Sequence, residues 1–328
     1  MHFLIFVKIE TVSGIVVICV RSVFVHFSRM EAPILNVADT LKNETIEEND
    51  VIPYPGPTIW KQVRTICKLP VLLVMPQDRL FIKHWEVSML VPIFEALVMV
   101  LSIVTFIVSL AKRKMCTFLI IVCLIFGVTF FALFVWSFFS TMFMDPGFLP
   151  FDWIKTRKTK YGYEEQLSGL AIRDDQFEYA ERNKPPFASF SHGAGRFVIR
   201  GDHVCIWVSN WVGKRNHKQF LLMNFWGAFT CLLFAIVTLF SVNPKKSFSY
   251  FFFEVLAIGM EFAFGLSMLG MFIKSLFNLS KNKTTLQIMK DVESNDLGCL
   301  KNFQEVCGTG SFLSWIIPTP AFSDDLVL

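Results

Sequence analysis

Four uninterrupted apolar runs limit what this chain can fold into: Val87 to Leu110, Cys116 to Met142, Phe220 to Val242 and Tyr250 to Phe277. A bilayer core about 30 Å thick is crossed by roughly 20 apolar residues wound as a helix, which satisfies its own backbone groups away from water. The first run carries one acid, Glu95; the second and third are uncharged; the fourth holds Glu254, Glu261 and Lys274. With 53% hydrophobic residues and 37 Phe, the rest of the composition agrees. Short connections, Ala111 to Met115 and Asn243 to Ser249, close the runs into pairs. The expected fold is membrane all-α: four transmembrane helices in two hairpins, with a cytosolic loop domain between the second and third.

The corresponding division is an N-terminal region of uncertain structure at 1-86, a first hairpin at 87-142, a loop domain at 143-219, a second hairpin at 220-277 and a C-terminal region at 278-328. An even number of spans places the loop and both termini on one side. Phe143 to Gln219 carries twelve Lys or Arg, so the positive-inside bias assigns that side to the cytosol, against the opposing vote of Lys112-Arg113-Lys114. Neither an endomembrane nor the plasma membrane is singled out. A net charge of +4, with basic residues interspersed among acidic ones, argues against nucleic acid as a partner. Val12 to Val20 is too short for a span and reads as an interfacial helix, or as sequence upstream of a start at Met30. Residues 31 to 60 read as a polar tail, extended by Pro53, Pro55 and Pro57.

Eight cysteines occur without a CxxC pair or the regular spacing of a disulfide framework. Between Cys123 and Cys231 stands Cys205 alone, in the run Arg200-Gly201-Asp202-His203-Val204-Cys205-Ile206-Trp207. A free thiol with a pKa of about 8.5 is mostly protonated at neutral pH, and the thiolate is the nucleophile. A neighbouring imidazole can take the proton, and a carboxylate can fix its tautomer. Asp-His-x-Cys is nevertheless a weak pattern by itself, equally suited to a solvated loop with an incidental Cys. A metal site built on His203 and Cys205 would need two further ligands, and the other nearby His are His192 and His217.

The surroundings of Cys205 are more specific. Lys184, Pro185, Arg196, Asp202, His203, Cys205, Trp207, Asn210, Val212, Gly213, Asn216 and Phe220 follow one another in a spacing that resembles the cysteine-rich domain of the DHHC protein acyltransferases. Asp145-Pro146-Gly147 after the second span resembles the family's DPG motif. Thr284-Thr285-Leu286-Gln287 after the fourth is similar to its TTxE motif, with Gln for Glu. Asn295 to Trp315, through Gly298, Asn302 and Gly308, is similar to its C-terminal stretch. The likeness runs from about Val87 to Pro318.

The resemblance implies a protein S-acyltransferase. Cys205 would take a fatty acyl group from long-chain acyl-CoA and pass it to a cysteine of a membrane-associated protein substrate, with His203 as base and Asp202 as its orienting partner. Trp207 and apolar side chains of the spans would contact the acyl chain. Asp145, Pro146, Gly147, Asn210, Gly213, Asn216, Thr284, Thr285 and Asn302 would support the site, next to membrane lipid. A catalytically inactive membrane scaffold or client-binding protein is the alternative.

The family's domain holds two zinc ions, and the positions of the ligands here are Phe177, Ala180, Phe190, Ser191, Ala194, Phe197, Val204 and Trp211. The expectation is a zinc-free domain with no bound cofactor, in which Phe177, Phe190, Phe197, Val204 and Trp211 pack as one small core. Phe187 and Ile206 also depart from the family's Arg and Pro. Glu261, mid-span, is either a functional carboxyl or a packed, hydrogen-bonded one. Cys299 and Cys307 are read as buried small hydrophobes or secondary acylation sites.

Overall fold

A computed structural model describes residues 2–12, 15–25, 60–66, 69–74, 79–82, 85–87, 90–112, 116–149, 154–158, 164–168, 188–191, 194, 196–242 and 248–322. The chain divides into two units, Met1–Pro53 and Tyr54–Leu328. In the first, β1 (His2–Val12) pairs antiparallel with β2 (Ile15–Val25). Val12 and residues 15–20 thus lie in strands, against the interfacial-helix reading: Val and Ile repeat at short intervals there, which suits a pleated ladder better than a helix.

The second unit opens with a four-stranded antiparallel sheet, β3 (Trp60–Ile66), β4 (Leu69–Val74), β5 (Arg79–Ile82) and β6 (Trp85–Glu86), paired in that order. Four long helices follow: α1 (Leu90–Lys112), α2 (Thr117–Phe143), α3 (His217–Ser241) and α4 (Phe248–Ser280). Each is long and apolar enough to cross a membrane. Their outward faces carry large exposed hydrophobics such as Leu97, Leu101, Phe126 and Phe253, as lipid contact requires. The chain is an integral membrane protein. α3 is the central helix, packed on α1, α2 and α4, and its Gly227 admits Met268 and Phe134 where a Cβ would collide with both.

Between α2 and α3 the described residues include three hairpins, which the sequence left undescribed. They are β7 (Ile154–Lys158) with β8 (Glu164–Ser168), β9 (Ala188–Ser191) with β10 (Arg196–Ile199), and β11 (His203–Cys205) with β12 (Asn210–Val212). Three short helices end the described chain: α5 (Thr285–Met289), α6 (Cys299–Cys307) and α7 (Phe312–Ile316). Buried Lys218 and Gln219 at the start of α3 both donate to the Thr319 carbonyl, at 2.9 and 3.0 Å, tying this C-terminal segment to the bundle.

Candidate active site

His203 and Cys205 are two residues apart on β11, so the pleat turns both side chains to one face and Val204 to the other. Cys205 is 4% exposed and Val204 54%. The Cys205 side chain is near enough to the His203 imidazole to favour its protonated form. His203 Nδ1 lies 2.7 Å from Asp202 Oδ2. The ring also meets Phe220 of α3 edge to face, with centroids 4.9 Å apart. The thiol faces the spans: it belongs to a buried cluster with Met99 of α1, Phe134 and Phe138 of α2, and Phe220 and Met223 of α3. Trp207 packs edge to face on Phe264 of α4, centroids 6.1 Å apart.

Asp202 is held from a distance in sequence. Thr284 caps α5 in a reciprocal capping box with Gln287: the Gln287 N–H donates to Thr284 Oγ1, and the Thr284 N–H donates to Gln287 Oε1 at 2.8 Å. The box needs an acceptor at that position, which Gln287 supplies as a Glu would. It points the next residue at Asp202, whose Oδ1 accepts the Thr285 N–H at 2.8 Å and whose Oδ2 accepts the Thr285 hydroxyl at 3.0 Å.

Burial opposes charge on Asp202, but the hydrogen bond from His203 and the Thr285 N–H hold its carboxyl well below the usual carboxylate range. Burial likewise opposes protonation of His203, yet Asp202 and Cys205 push its pKa up to about 9 from an ordinary 6.5. A raised histidine pKa stabilises the fold fully below 6.5, and the contribution is lost as pH rises through about 9. Thermal unfolding should therefore show the wild-type midpoint falling across that window relative to His203→Asn, with the two curves converging above it.

The supporting residues stitch the hairpin to the end of α2. Asn210 Nδ2 donates to the carbonyls of Thr141, Met142 and Met144, at 3.3, 3.0 and 3.0 Å, and Asn216 Nδ2 donates to Thr141 and Trp211 at 3.2 and 2.7 Å. The Thr141, Met142 and Met144 carbonyls are of the kind that a helix terminus leaves without partners. Asp145 Oδ1 accepts the N–H groups of Gly147 and Phe148, both at 2.9 Å, and Gly147 takes a φ of 104°, which glycine tolerates. Pro146 accepts from the Arg215 N–H through its carbonyl. Asn302, 0% exposed, donates to the Ser280 carbonyl at 2.9 Å and so closes the end of α4. A Cβ on Gly213 would lie 2.4 Å from the Pro146 carbonyl oxygen and 2.8 Å from Val198 Cγ1. Gly213→Ala should therefore cost about 1 to 3 kcal/mol, read as a lower midpoint in thermal unfolding.

The residues at the zinc positions do not fit zinc. Phe190 and Phe197 are buried and pack edge to face, centroids 5.2 Å apart, in a cluster with Leu149 and Ala188. Ser191 Oγ, the single side-chain oxygen among the eight, accepts the Trp211 indole N–H at 2.9 Å and the Ala194 N–H at 3.2 Å. Trp211 and Ala194 join a different cluster, with Phe148 and Val198. Val204 faces away on the outer side of β11, so the single five-residue core is corrected to two separate ones. Phe177 and Ala180 lie outside the described residues. Among those described, no group of three or more His, Cys, Asp or Glu is placed to hold a metal ion.

Within the bundle, Glu261 is 3% exposed and neither carboxylate oxygen has a hydrogen-bond partner among the described residues; Glu95 is 4% exposed. Cys307 is buried, as expected of a small hydrophobe, whereas Cys299 is exposed. One contact had no signal in the sequence: the Trp85 indole N–H donates to the Val208 carbonyl at 3.1 Å, across 123 residues.

Four spans with a thiol, an imidazole and a carboxylate joined at their edge define a membrane protein equipped for thiol chemistry. Residues 173–292 match the family model for DHHC palmitoyltransferase. The chain is 30% identical over 215 residues to Probable protein S-acyltransferase 14 of Arabidopsis thaliana, covering 57% of this chain and 68% of that one. It is 32% identical over 206 residues to Probable protein S-acyltransferase 12 of the same plant, with 56% and 68% covered. To Palmitoyltransferase ZDHHC20 of Homo sapiens it is 26% identical over 222 residues, with 58% and 60% covered. The chain belongs to the DHHC palmitoyltransferase family.

Proposed function

We propose that this chain is a protein S-acyltransferase that moves a fatty acyl group from acyl-CoA to cysteines of membrane-associated proteins through an acyl-Cys205 intermediate. The observation that carries this reading is the relay from Asp202 through His203 to a thiol enclosed by side chains of three spans. His203 takes the Cys205 proton, and the thiolate attacks the thioester carbonyl. The bond from the acyl carbon to the CoA sulfur breaks, and CoA leaves as a thiol with the proton from His203. In the second half, a client thiol gives its proton to His203 and attacks the acyl carbon; Cys205 leaves and takes the proton back. With its pKa raised to about 9, the His203 imidazole is basic enough to hold the proton it takes.

The location suits the substrate. Each CH₂ moved from water into an apolar environment gains about 0.8 kcal/mol, so the acyl chain belongs among the spans while its thioester reacts at their edge. Trp207, against Phe264, would flank that chain. The twelve Lys or Arg between the second and third spans favour a cytosolic site, where acyl-CoA is met. The domain works without zinc, its two ligand sets replaced by the Phe190–Phe197 pair and by the Trp211–Ser191 hydrogen bond; metal analysis of the purified protein should find less than stoichiometric zinc.

The test is incubation of detergent-solubilised protein with labelled palmitoyl-CoA. Hydroxylamine-labile label on the protein, released CoA in equal amount and transfer of label to an added cysteine-bearing client are the expected results. Absence of labile label, under conditions where a relative is labelled, would favour the client-binding scaffold.

A further inference from the structure

The sheet β3–β6 precedes the spans and lies outside the residues that the family model matches, yet it reaches the hairpin that carries Cys205. One set of its side chains faces outward, among them Val63 and Leu69; another, Val71, Leu72, Phe81 and Trp85, is buried. Leu72 and Phe81 enter the cluster that contains Ala194 and abuts Trp211, two of the positions where the family places zinc ligands. Trp85 goes further. Its ring belongs to the cluster around Cys205 and meets Phe143 edge to face at 5.7 Å. Its N–H donates to Val208, three residues past the thiol, in the turn that closes β11 on β12.

We propose that this sheet is the brace that replaces the metal: Leu72 and Phe81 clamp the Trp211 strand, and Trp85 is a positioning residue that fixes the Cys205 turn relative to His203. The proposal rests on the reading of Cys205 as nucleophile in a zinc-free domain. A metal cross-links a short loop by directed bonds. Burial of apolar side chains is non-directional and holds the loop down without setting its register, so a directed contact is also required, and the indole N–H supplies it. Ser209, next to Val208, has a φ of 46°, a strained conformation for a residue with a Cβ, which surrounding contacts must hold.

The test uses the full chain in detergent, with Trp85→Phe and the double variant Leu72→Ala, Phe81→Ala. In the double variant, amide hydrogen exchange across 196–212 should rise about tenfold or more while the interiors of α1–α4 keep their protection. Trp85→Phe keeps an aromatic ring at that place and loses the N–H. Its single-turnover acylation rate at saturating palmitoyl-CoA should fall about five- to tenfold, with half-saturation and thermal midpoint little changed. Unchanged exchange in the double variant, or a wild-type acylation rate in Trp85→Phe, overturns the proposal. If the double variant fails to fold, Trp85→Phe decides alone. If the wild type itself takes no label on Cys205, the enzyme reading fails, and exchange across 196–212 in the two variants still decides whether the sheet braces the hairpin.

Discussion

Replacing Cys205 by Ser should remove the hydroxylamine-labile acyl label completely while leaving the helical content intact. The substituted hydroxyl is a far weaker nucleophile, since a serine needs stronger activation than a thiol to react at neutral pH. Any oxygen ester that did form would resist neutral hydroxylamine. Burial pushes the Cys307 thiol up to about 11, which disfavours its thiolate. A substitution of a 4% exposed thiol by a hydroxyl of similar size costs little packing, so a folded but unlabelled protein is the expected outcome. Labile label persisting on Cys205→Ser at the wild-type level would place the intermediate elsewhere.

His203→Ala should slow acylation by about 10² to 10⁴, the range expected when a positioned acid–base group is lost, without abolishing it. Without the imidazole the proton must go to solvent, so the residual rate should climb with pH more steeply than that of the wild type. Asp202→Asn is expected to fall between wild type and His203→Ala. It keeps the ring approximately in place but turns a charged acceptor of His203, and of both the Thr285 N–H and hydroxyl, into an amide that cannot accept at every position. Stopped acylation with labelled palmitoyl-CoA, followed from pH 6 to 9, separates the three proteins. A His203→Ala rate equal to wild type would remove the imidazole from the chemistry.

Much of this protein was legible in one dimension. A bilayer demands some twenty apolar residues in a row, and that requirement falls on consecutive positions, so the four spans can be read directly. The spacing of His203 and Cys205 was also informative, because a strand turns residues two apart to the same face. The resemblance named Asn210, Asn216, Thr285 and Asn302 as supporting residues, but their contacts, to the end of α2, to Asp202 and to the end of α4, emerged with the fold.

Apolar substitution at the zinc positions read alike along the sequence, and there the inference went too far. Phe190, Phe197 and Val204 all replace polar ligands, yet the first two are buried and Val204 stands on the outward face of β11. Nothing local to residues 60–86 announces that Trp85 will meet a carbonyl 123 positions away. Consecutive residues thus determined the membrane spans and the pairing of base with thiol, because both depend on short-range geometry. Which side chains brace that thiol was decided by packing between segments far apart in the chain, since burial selects for shape and volume and not for sequence neighbours.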